Sequence, residues 1–127
     1  MSLAQSAAQY GAAEIDVDSA ELVYTELWIS LESLLRSYTA VHGLSGNRMA
    51  TIEATGALIV AQHGKKRLEL QRSHAAVIWM RENGDSGRLE LTLHGRLREM
   101  GTKSTGEEEM DMAAEAWAWE LMREFEP

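Results

Sequence analysis

Apolar residues recur at steps of three and four along one stretch of this chain and at steps of two along another, so a helix precedes strands. Leu27, Leu31, Leu34, Tyr38 and Val41 share one helical face, which Val23, Tyr24, Trp28 and Leu35 widen. Asp18 or Ser19 stands at the cap position, and Asp18 with Glu21 has capping-box spacing. Gly43 offers a left-handed stop, and His42 places a cation in the last turn, at the negative end of the helix dipole. Together these predict a helix of about 24 residues, longer than the usual three or four turns.

Four strand-like segments follow a loop over 44–48 that contains two glycines. The first covers 49–62 and bends at Gly56. His63 and Gly64 then turn the chain into the second, 66–72. The third covers 75–81, and the run from Asn83 to Gly87 is a strong turn signal before the fourth, 88–100. In the fourth, Leu89, Leu91, Leu93 and Leu97 point one way, while Arg88, Glu90, Thr92, His94, Arg96 and Arg98 point the other. A period of two means one buried face and one wet face. Gly95 interrupts the buried row, which signals a bulge or a sharp bend. Arg67, Glu69 and Gln71 alternate with Leu68 and Leu70 in the same manner. Two segments, 56–61 and 75–80, are apolar on both faces, and such strands are normally covered on both sides.

A second helix is predicted after Ser104, which forms a capping box with Glu107. Glu107, Glu108, Glu109 and Asp111 suit the positive start of that helix. Met110, Ala114, Trp117, Leu121 and Phe125 form one apolar stripe, and Met112, Ala116 and Trp119 a second, roughly opposite. A helix apolar on two sides is normally sandwiched. The order α-β-β-β-β-α predicts an α+β fold: a four-stranded antiparallel meander flanked by a long N-terminal helix and a C-terminal helix. Residues 1–13 read as a flexible tail and 14–127 as one domain. Either the helices lie on opposite faces of the sheet, or they share one face and a second subunit covers the other. The two-sided last helix favours a homodimer with Met112, Ala116 and Trp119 at its interface.

The 127 residues are 45% hydrophobic and 25% charged, which fits one globular domain rather than a disordered chain. No apolar run approaches the ~20 residues that span a bilayer, and no basic-then-apolar leader opens the chain, so no membrane association and a cytoplasmic location are expected. The absence of cysteine excludes disulfides and thiolate metal sites. The net charge of −8 is unevenly spread, with −5 over 1–64, +4 over 65–103 and −7 over 104–127. The basic middle either complements acidic helices or forms an anion-binding face from Lys65, Lys66, Arg67, Arg88, Arg96 and Arg98. Nucleic acid is the disfavoured partner. Sheets that bind it add exposed aromatics for stacking, none lies beside these arginines, and the isoelectric point is near 4.9.

Candidate chemistry is sparse. The chain has no phosphate-binding glycine loop, no dinucleotide fingerprint, no zinc-protease or calcium-loop motif and no nucleophile elbow. His42, His63, His74 and His94 lack paired metal-ligand spacing, although a meander brings His74 and His94 to neighbouring strands. Glu107, Glu108 and Glu109 are better explained by the helix dipole than as an acid/base pair, which needs separated pKa values. No cofactor is implied. Of the tryptophans, Trp28 and Trp117 fit core stripes, Trp79 sits in a two-sided strand, and Trp119 either packs on the fold or joins an interface. The pattern therefore points to a non-catalytic interaction or regulatory module, with a second copy as its expected partner. The alternatives are a small-molecule binding protein or enzyme with an apolar pocket between the first helix and a curved sheet, or a nucleic-acid or anion binder using the basic strands.

Overall fold

The computed structural model describes residues 17–43, 49–99 and 106–123. The expected tail over 1–13, the loop over 44–48, the Ser104 cap and Phe125 lie outside them. Two α-helices, α1 (Val17–Gly43) and α2 (Met110–Met122), accompany seven strands. The strands are β1 (Thr51–Ala54), β2 (Leu58–His63), β3 (Lys66–Ser73), β4 (Ala76–Arg81), β5 (Ser86–Leu91), β6 (Arg96–Glu99) and β7 (Glu107–Glu109). They form one antiparallel meander in sequence order. The α+β class, the long first helix, the last helix and the antiparallel sheet all stand. The number of strands does not, since seven replace the expected four.

Three local events account for the difference. The segment 49–62 is a hairpin, not one bent strand. Thr55 Oγ1 accepts from the amide of Ala57 at 3.2 Å, and the Thr55 amide donates to Leu58 O, closing a tight turn around Gly56. The segment 88–100 also folds back. Thr92 Oγ1 accepts from the amides of His94 and Arg96, and Gly95 adopts φ +83°. Leu93 therefore lies exposed in a turn, and Leu97 rejoins the buried row from the next strand. Finally, Glu107–Glu109 is an edge strand rather than a helix start. It pairs with β6 so that Arg96 faces Glu109 and Arg98 faces Glu107. The helix begins only at Met110, whose amide donates to Gly95 O, and Glu109 makes no side-chain capping bond.

Cross-strand register separates the two faces of the sheet. Ile59, Ala61, His63, Lys66, Leu68, Leu70, Arg72, Val77, Trp79, Arg81, Leu89, Leu91 and Leu97 share the inner face. Both helices lie on it. Arg72 reaches Thr25 and Glu21 of α1, while Lys66 and Arg81 reach α2. The core joins Trp28, Leu31 and Leu35 of α1 to Ile59, Leu68, Leu70, Val77, Leu91 and Leu97 of the sheet and Met110, Ala113, Ala114 and Leu121 of α2. Asp18 and Ser19 lie inside α1 rather than capping it. The buried face of α1 centres on Trp28, Leu31 and Leu35, so Val41, 61% exposed, falls off it. Trp28 anchors the helix, with its indole Nε1–H donating to Thr55 O at 3.0 Å.

The second face of the two-sided strands has no cover from the described residues. Leu58, Val60, Ala76, Ile78 and Met80 lie there among charged neighbours. No described helix is long and apolar enough to cross a membrane.

Candidate functional site

Helix α2 is the element on which the candidate surfaces meet. Its backbone approaches β6 and β7 at one side and β2 and β3 at the other, and stays farther from β4 and β5 between them. Thirteen residues of helix span about 20 Å, enough to reach across the sheet from β7 to the β2–β3 hairpin, where strands stand roughly 4.8 Å apart. Helix α2 is therefore an arch over β4 and β5. Its C-terminal carbonyls are held from the β2–β3 hairpin. Lys66 Nζ donates to Glu120 O at 3.0 Å and to Arg123 O at 2.7 Å, and His63 Nδ1 stands 3.2 Å from Leu121 O. A carbonyl only accepts, so Nδ1 carries the proton. Nε2 of His63, a side chain only 6% exposed, is buried without a partner among the described residues. The last turn of α2 has no basic residue of its own, and Lys66 supplies that charge from the sheet.

Three sides of the arch are packed, and one is not. Met110, Ala113, Ala114, Ala118, Leu121 and Met122 are buried. Met112 and Trp119 are 55% and 50% exposed, and Ala116 between them is exposed too. The second stripe read from the sequence is thus a continuous surface feature. Arg123 lies over the Trp119 ring at 4.3 Å.

The basic residues proposed as an anion face are dispersed by their own partners. Arg67, Arg88, Arg96 and Arg98 share the outer face, but Lys66 is on the inner one beneath α2. Arg67 pairs with Glu69 at 2.8 Å, which holds the Glu69 carboxyl below its ordinary range with help from Gln71. Arg96 pairs with Glu109 at 2.9 Å, and Arg98 with Glu90 at 2.6 Å, a contact that raises the Arg98 pKa. Lys65 and Arg88 have no ion-pair partner among the described residues. Charge on the outer face alternates in sign rather than gathering into one basic stripe. His74 meets Glu21 at 3.1 Å, and no three metal-ligating side chains converge among the described residues.

Sequence reasoning missed the space inside the arch. A cavity of about 380 Å³ lies between α2 and the strands β4 to β7, and a smaller one of about 130 Å³ lies between α1 and β1. Trp79, Leu89, Leu97, Ala113 and Trp117 give the larger an apolar floor, and Glu99, Glu107 and Glu108 stand at its rim. Trp79 is fixed from two sides. A Cβ at Gly87 would lie 2.5 Å from its indole, so the ring covers the glycine across the strand pair. The Arg81 guanidinium lies 4.4 Å from the ring centroid and is held by Glu120 through contacts of 2.7 and 3.0 Å. Two signals for this region stood in the sequence. Lys66 has the same parity as Leu68 and Leu70, hence the buried row, and Gly87 faces a tryptophan once the Asn83–Ser86 turn is in place.

No family model matches this chain, and comparison with curated proteins and with solved structures yields no match either.

Proposed function

We propose that this chain is a non-catalytic interaction module that pairs with a second copy of itself through the outer stripe of α2. The observation that carries this reading is the exposure of Met112 and Trp119, seven residues apart on a helix whose opposite face is buried. With Ala116 they stand four and three residues apart, the spacing of a coiled-coil seam. The small Ala116 lets a second helix approach closely. Burying the exposed half of each of the two large side chains contributes about 1 kcal/mol apiece.

Charge selects the occupant and its direction. Glu108, Glu109 and Asp111 gather at the start of α2, and Arg123 stands just past its end. Two antiparallel copies crossing at Ala116 bring each Arg123 to the other's acidic start, whereas parallel copies set like charges together. The antiparallel pair is isologous, as a two-fold dimer requires.

The chain has no cysteine, so a single introduced thiol reports proximity. A crossing at Ala116 places both copies of that residue on the two-fold axis. Ala116→Cys is expected to form an intermolecular disulfide readily on mild oxidation, because its Cα atoms approach within the roughly 4.4–6.8 Å that a disulfide needs. Met112→Cys, which faces the far end of the partner helix, is expected to cross-link poorly. Equal cross-linking at the two positions contradicts the antiparallel crossing.

A further inference from the structure

We propose that the cavity under α2 binds a small organic cation, an amine carried on an apolar body, a site that does not depend on the dimer reading. The cavity follows from the architecture. Because α2 crosses the sheet from β7 to β2 and β3, its backbone stands away from β4 and β5, and Trp79 and Trp117 fill only part of the gap. At about 380 Å³ it falls in the size range of small-molecule sites, and like them it has an apolar floor with few polar groups.

The polar groups fix the sign of the ligand. Leu97 pairs with Glu108 across β6 and β7, and the Glu99 amide donates to Gly106 O. Glu99 and Glu108 are therefore diagonal neighbours on the inner face, with backbones roughly 7–8 Å apart. Neither has an ion-pair partner among the described residues, and both border the cavity with Glu107. Among the described residues the one cation in the wall, Arg81, already meets Glu120 at 2.7 Å and stacks on Trp79. An ammonium group between Glu99 and Glu108 supplies the missing charge while its apolar body rests on Leu89, Leu97 and Trp117. An anion meets the Glu99 and Glu108 carboxylates there instead.

The test uses the full-length chain with 4-phenylbutylamine as the probe and 4-phenylbutanol as its uncharged counterpart, followed by the indole N–H signals in NMR. Signals are assigned by single Trp→Phe variants, and each titration is repeated on Trp119→Glu so that oligomeric state is controlled separately. The expected result is a saturable shift of the Trp79 and Trp117 signals with the amine and none with the alcohol. In the Glu99→Gln/Glu108→Gln double variant the amine is expected to bind at least about tenfold more weakly, a change of about 1.4 kcal/mol. No saturable shift below ~10 mM, the weak limit expected for a ligand this small, overturns the proposal. So does a response indifferent to the double variant or to the head group. Shifts produced by a lysine-containing peptide but not by the amine also overturn it, and assign the cavity to a partner's basic side chain.

Discussion

Gly87 leaves room for one ring, and the consequences are measurable. Adding a methyl group there forces the Trp79 indole from beneath Arg81. Gly87→Ala is expected to destabilise the protein by about 1–3 kcal/mol and to change the near-ultraviolet circular dichroism of the tryptophans. An unchanged spectrum contradicts the stacked arrangement. Lys66 does a different job at the same scale. Its ammonium closes two carbonyls at the end of α2, so Lys66→Ala is expected to cost about 1–2 kcal/mol in urea unfolding, whereas Lys65→Ala, at a side chain in solvent, costs almost nothing. Glu21 supplies a pH-dependent contribution. Its pKa is lowered, first by the hydrogen bond to His74 and then by Arg72, against a desolvation that raises it. A carboxylate with a depressed folded pKa stabilises above its ordinary pKa, and the contribution is lost as pH falls through the folded value. The difference in melting temperature between wild type and Glu21→Gln is therefore expected to shrink as pH drops below the ordinary carboxylate range. A difference constant across that range contradicts it.

At the scale of elements, β7 is the one whose identity turns on charge. Three consecutive glutamates form a strand edge here because Arg96 and Arg98 stand opposite, at 2.9 Å from Glu109 and 3.8 Å from Glu107. The exposed carboxylates also guard that edge against further strand pairing. Arg96→Glu/Arg98→Glu places like charges across the pair and is expected to weaken β7 by about 1 kcal/mol. Amide hydrogen exchange is expected to quicken in β6 and β7 and to stay unchanged in β3 and β4; equal quickening throughout contradicts a local role. Period, with length and turn signals for the two-sided segments, distinguished the long helix from the strands, and it placed Trp28, Leu31 and Leu35 in the core together with the leucine rows of the sheet. The hairpins were hidden because the break at 92–95 returns Leu97 to the same parity as Leu89 and Leu91. A folded-back strand and a continuous one then give the same alternation. Thr55 and Thr92 carried the turn signal through their hydroxyls, beside the glycines that read only as bends. Glu107–Glu109 satisfies two rules at once, dipole complementarity and cross-strand pairing. Only the tertiary position of β6 decides between them.

For the whole molecule, both helices on one face of the sheet create two surfaces, which meet at Ala116. One is the α2 stripe, which the helical period displayed in advance. The other is the cavity under α2, which depends on where α2 crosses the sheet and on the gap beside β4 and β5, properties that no local pattern encodes. The outer sheet face, with Ile78 37% exposed, is the competing place for a second copy. The most direct test is sedimentation equilibrium of wild type, Trp119→Glu and Ile78→Glu at micromolar concentration, with circular dichroism confirming that each is folded. The account predicts a dimer for wild type and for Ile78→Glu, and a folded monomer for Trp119→Glu. A monomeric wild type, or a dimer broken by Ile78→Glu and untouched by Trp119→Glu, contradicts it.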